Sequence, residues 1–158
     1  VRLRDWSLSA YARAGVQALC LDLQDAHGQC VCYLLWAGWA AVERRGVDAE
    51  ALARASDIAR DWDGAVTGPL RAVRRALKTP RPGVAASGQR TLRLHLQAEE
   101  LTSERLLLNA LEPLAPPPGT QPIETGQALR AAMAAWSPAP DDRAQALART
   151  LADAFSAA

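Results

Sequence analysis

No charged residue interrupts the chain from Cys30 to Val42, and apolar side chains run almost all the way round a helical wheel until Glu43-Arg44-Arg45. A helix without a polar face must be covered on most sides, so this segment dictates the architecture: a central helix over about 31–45, enclosed by its neighbours. It is too short to cross a bilayer, which takes roughly 20 apolar residues. Two basic residues in its last turn suit the negative end of the helix dipole, and Gly46 is placed to end it.

The covering elements must also be helical. Ala, Leu and Arg dominate, while the β-branched and aromatic residues that strands favour are sparse. A chain of 158 residues encloses one real core, and two separate cores would each be marginal. The expectation is a single all-α domain, 1–158, folded as an irregular helical bundle of seven to eight helices around the 31–45 helix.

Spacing and punctuation place the elements. The first helix is capped by Asp5, runs to about Ala14 and is stopped by Gly15. The second covers Val16 to about His27, with Val16, Leu19, Cys20 and Leu23 on one face, and ends at Gly28. Asp48 caps a fourth helix through Leu52, Ala55 and Ile58 to Trp62. A fifth reaches Lys78, with Pro69 opening or kinking it. These core helices, 1–78, precede a Pro/Gly connector at 79–87 and a long helix at 88–114. In that helix Leu94, Ala98, Leu101, Leu108 and Leu111 form the expected core stripe, while Arg93, Glu99, Glu100 and Glu104 stay wet. Pro113 to Pro122 carries five prolines, so 115–122 reads as an extended link. The C-terminal helices within 123–158 follow, about 125–136 and 140–155, as an appendage with acidic residues opening the last one.

The formal net charge of +1 argues against a dedicated nucleic-acid binder, and no membrane span is visible. Three cysteines confined to Cys20–Cys32 do not make a secreted disulfide framework, and no N-terminal signal pattern is visible. A cytoplasmic protein is the expectation. No G-x-S-x-G, P-loop or paired-histidine motif is present, and no cofactor is implied.

A more specific pattern lies between Trp6 and Trp39: Trp6, Tyr11, Gly15-Val16, Cys20-Leu21, Leu23-Gln24-Asp25, His27-Gly28, Leu34-Leu35-Trp36 and Trp39. A second block is Pro69-Leu70-Arg71, Arg74 and Lys78. Together they resemble an uncharacterised proteobacterial family of similar length, a domain of unknown function. The resemblance covers the first half of the chain and adds nothing from Ser87 onward. It implies no activity, and where members often carry Asp-Val-Asn this chain has Cys30-Val31-Cys32.

Three groups are candidates for function. Arg71, Arg74, Arg75 and Lys78, extended by Arg81, stack along one helix side, with Leu70, Val73 and Leu77 on the other. Such a stripe suits an acidic protein partner, against the plainer reading of a solvated face paired with Asp57, Asp61 or Asp63. Tyr11, Trp36, Trp39 and Trp62 could wall a pocket for an apolar ligand, or serve as core fillers. Cys20, His27, Cys30 and Cys32 offer soft ligands for zinc or a reactive thiol. Cys30 and Cys32 would diverge on a helix, and buried thiols with a helix-terminal histidine explain them equally. Asp22, Gln24 and Asp25 suggest a carboxylate site only weakly. The leading expectation is a non-enzymatic interaction or adaptor module. The alternatives are a ligand-binding protein with a tryptophan-lined pocket and a zinc or thiol site.

Overall fold

The computed structural model describes residues 1–137 and 139–157. The protein is all-α, with no strand among the described residues. The helices are α1 (Leu3–Tyr11), α2 (Val16–His27), α3 (Val31–Val42), α4 (Ala49–Trp62), α5 (Gly68–Ala76), α6 (Ala86–Leu111), α7 (Thr125–Trp136) and α8 (Asp142–Ser156). A π-helical turn, Asp63–Thr67, joins α4 to α5, and a 3-10 turn, Glu112–Leu114, ends α6.

The central helix is as expected. Every residue from Cys32 to Ala41 in α3 is buried, and α1, α2, α4, α6, α7 and α8 all pack against it. Its end differs from the expectation in a physically informative way. Helical bonding stops at Val42, and Arg44 takes the left-handed conformation at φ 57°. The Arg45 N–H then donates to the Ala40 carbonyl (2.7 Å) and the Arg44 N–H to Ala41 (3.0 Å). This is a Schellman closure, with arginine standing where glycine is usual. Gly46 is not the terminator.

Local boundaries shift by a few residues elsewhere. α1 starts at Leu3, leaving Asp5 in its first turn, and Gly15 opens α2 at φ 81°. Asp48 caps α4 as its position predicts, accepting from the Ala51 N–H at 2.8 Å. Pro69 lies in the first turn of α5, and the turn before it widens to π spacing, which absorbs the N–H that proline lacks.

Two expectations are corrected. The Leu94-Ala98-Leu101 stripe of α6 does not face the core: Leu94 and Leu101 are 63% and 56% exposed. The buried side carries Gln89, Glu100, Ser103, Leu107, Leu108 and Leu111, so Glu100 is not wet. Nor are the C-terminal helices an appendage. Leu129, Ala132, Met133, Ala148, Leu151 and Phe155 belong to the same core cluster as Trp36 and Trp39. The proline-rich segment is strapped down, with Arg45 Nη1 donating to Pro116 O (2.9 Å) and Gly119 N–H to Arg44 O (2.7 Å). α8 approaches α3 at Gly38, where a side chain would meet the Phe155 ring. His27 Nδ1 lies 2.8 Å from Asp141 Oδ2, and Arg143 pairs with Asp22, tying α2 to the start of α8.

Candidate functional site

An open, apolar groove of about 400 Å3 runs between α4 and α6. Ile58 and Trp62 contribute from α4, one turn apart, and Leu106, Leu107 and Ala110 from α6; Asp57 and Asp61 form the α4 rim. Ile58 and Leu106 are 39% and 53% exposed, an apolar surface that the fold leaves uncovered. Trp62 is the fixed wall: its indole N–H donates to Ser103 O (3.1 Å) and Oγ (3.2 Å), and Ser103 Oγ also meets Thr67 Oγ1. The ring is thus held by the face of α6 opposite the one read as its core stripe. Asp57 and Asp61 take part in no ion pair among the described residues.

The basic stripe has a different fate. Arg71 and Arg74 turn inward between α5 and α6 and share one carboxylate: Arg71 Nε lies 3.0 Å from Glu100 Oε1, and Arg74 Nε bonds Glu100 Oε2. Their side chains are 12% and 19% exposed and that of Glu100 only 9%. Asp63 (3.5 Å) and Glu104 (3.8 Å) add to the field around Arg71. Burial opposes ionisation of Glu100, yet the hydrogen bonds and charges of Arg74 and Arg71 outweigh it and hold the carboxyl below its usual range. Glu104 goes the other way, pushed up by burial and then by the charge of Glu100. Arg75 pairs with Asp25 in the open. Lys78 keeps no carboxylate partner among the described residues. Spacing had put Val73 toward the core, but it is 49% exposed, because α5 docks on α6 through its arginines. The stripe is largely an internal clamp.

The four aromatic residues do not converge. Trp36 and Trp39 are fully buried in α3, Tyr11 is half-buried, and only Trp62 lines the apolar groove. Trp39 borders a separate polar cleft of about 410 Å3 with Arg2, Arg45, Asn109 and Glu112, and the Arg45 guanidinium stacks on its ring at 4.5 Å. Burial, assisted by Cys20 and Glu104, pushes the Tyr11 hydroxyl up to about 12.

The cysteine and histidine group also disperses. Cys20, Cys30 and Cys32 are free and buried. Burial pushes the Cys20 and Cys30 thiols up to about 12 and Cys32 well above its ordinary value, the opposite of what a reactive nucleophile requires. His27 is engaged by Asp141. Among the described residues, no three His, Cys, Asp or Glu side chains are placed to hold a metal. Asp22 and Asp25 each face an arginine, Arg143 and Arg75, rather than one another.

The residues that sequence reasoning missed are Ile58, Leu106, Asp57 and Asp61. Ile58 follows Leu52 and Ala55 at helical spacing and looked like core, whereas Trp62 was already a candidate pocket wall. The consecutive leucines 106–108 were the available signal, because neighbouring positions on a helix point about 100° apart and cannot all be buried against one partner.

A family model described as Protein of unknown function (DUF2390) matches residues 2–111, a span reaching through α6 and including both walls of the groove. No curated protein and no solved structure matches the chain.

Proposed function

The chain belongs to the family of unknown function DUF2390, and from its geometry we propose that it is an interaction module that docks a partner protein in the α4–α6 groove. One observation carries this reading: Ile58 and Leu106 stand exposed beside an indole whose orientation is already fixed by Ser103. A preordered aromatic beside uncovered aliphatic side chains is the pattern of a binding hot spot, since little conformational freedom is lost on contact. The expected acidic partner of Arg71, Arg74 and Arg75 loses its basis, because Glu100 and Asp25 already hold those cations. No described helix is long and apolar enough to cross a membrane.

A partner identified by affinity capture and then purified provides the test. Its complex with the chain is measured by calorimetry for the wild type, for Ile58→Ser with Leu106→Ser, and for Val73→Ser on the far surface. The groove pair should abolish binding and Val73→Ser should leave it intact. Undiminished affinity in the groove pair refutes the reading. A small apolar ligand against Trp62 is the second reading, favoured by a volume within the usual range of ligand pockets, roughly 300–1,000 Å3. The open side of the groove favours the protein partner.

A further inference from the structure

The shape and charge of the groove narrow its occupant. Both walls are helices, whose backbone donors and acceptors are already used internally. An extended peptide laid there would find no main-chain partners, whereas a helix brings its own backbone satisfied. The volume of about 400 Å3 compares with roughly 150 Å3 for a cavity that takes one benzene, so two or three large apolar side chains fill it. That is one anchor row of an amphipathic helix.

Charge supplies the second constraint. Asp57 and Asp61 are exposed, lie one turn apart on α4 and line the groove. Neither has a cation within 4.0 Å among the described residues, a state they share with Asp5, Asp48, Glu50, Glu99, Asp142 and Asp153. What sets them apart is their place on the rim of an apolar groove. Glu99 is exposed on α6 two turns before Leu106 on the same side of the helix, beyond the residues that line the groove. The nearby cations in sequence are Arg54, Arg60 and Arg105; Arg60 is turned away to the Ala135 and Trp136 carbonyls and stacks on the Trp136 ring, and Arg105 is turned to Thr102 Oγ1 at 2.8 Å.

Resting on the groove as docking site, we infer that its partner is a basic amphipathic helix, with an apolar face against Ile58, Trp62 and Leu106 and with Lys or Arg one turn apart facing Asp57 and Asp61.

Two labelled synthetic helices of about 18 residues, close to 27 Å long, provide the test. They share a leucine face and differ only in carrying lysine or glutamate on its flanks. Each is titrated with the full chain by fluorescence anisotropy, and bis-ANS, an apolar dye, is titrated in parallel. Circular dichroism confirms that each variant is folded. The lysine helix should bind at least about tenfold more tightly than the glutamate helix, and the gap should narrow at about 0.5 M salt. Asp57→Lys with Asp61→Lys should reverse the order, and Ile58→Ser with Leu106→Ser should abolish binding of both helices and of the dye. Equal binding of the two helices, or no effect of the charge reversal, overturns the basic-helix inference, while groove-dependent dye binding keeps the groove itself. Lysine-helix binding that survives Ile58→Ser with Leu106→Ser is adhesion to general acidic surface and also overturns it. If neither helix binds and the dye ignores the groove variant, the docking reading falls as well.

Discussion

Glu100→Gln is the sharpest probe of how this bundle holds α5 against α6. The substitution keeps the shape and removes the charge that Arg71 and Arg74 share. Arg71 retains Asp63 at 3.5 Å and Glu104 at 3.8 Å, but Arg74 has no other carboxylate within 4.0 Å among the described residues. A hydrogen bond to a charged group contributes about 1.5–3 kcal/mol, and breaking a fully enclosed ion pair costs about 3–5 kcal/mol. The glutamine oxygen still accepts one bond and Arg74 still reaches water, so about 2–3 kcal/mol is the expected loss at neutral pH. For a chain of this size that lowers Tm by about 5–10 °C. The pH dependence has a definite sign. The Glu100 carboxyl is held below its usual range in the folded state, so its contribution is present above the ordinary glutamate pKa. It is lost as pH falls through the lower folded value. Thermal unfolding by circular dichroism should therefore show a gap between wild type and variant at pH 7 that closes in acid. A variant within about 2 °C of wild type at pH 7, or a gap indifferent to acid, refutes the clamp.

Other perturbations test the packing and the chain ends. Gly38→Ala places a methyl 2.5 Å from the buried Phe155 ring, and overpacking of about 1–3 kcal/mol should exceed the helix-propensity gain of up to about 1 kcal/mol. Its urea midpoint should fall, and a midpoint at or above wild type would mean that α8 moves away freely. Arg44→Gly relieves the left-handed strain at φ 57° and should raise stability by about 1 kcal/mol, read from the same melts; any loss would give Arg44 a role beyond closing α3. The three thiols should resist Ellman's reagent at about pH 8 in the folded chain and all react in denaturant, because burial disfavours each thiolate; fast native labelling would contradict the buried placement.

Much of the framework was legible from local pattern. The apolar wheel of α3 required enclosure, Asp48 announced the start of α4, and Gly28 the end of α2. Each depends on residues within one or two turns, which is the range over which periodicity and capping act. The faces of α6 were not legible. Its 26 residues carry leucines on both sides, and different neighbours cover different parts: α5 takes the polar side at Glu100, and the core takes Leu107, Leu108 and Leu111. Helical periodicity assumes one partner along the whole length, and this helix has several.

The amino-acid order by itself determined that the chain is helical and that the tryptophan-bearing α3 lies at its centre, because a rod apolar on every side has no stable alternative to burial in water. Only the tertiary structure decided that the arginines of α5 turn inward to Glu100, that the proline segment straps rather than tethers, and that Ile58 and Leu106 remain open beside Trp62. Each of those outcomes joins residues far apart in the chain. Which charge is neutralised and which apolar side chain stays wet is settled by whichever helix arrives opposite it.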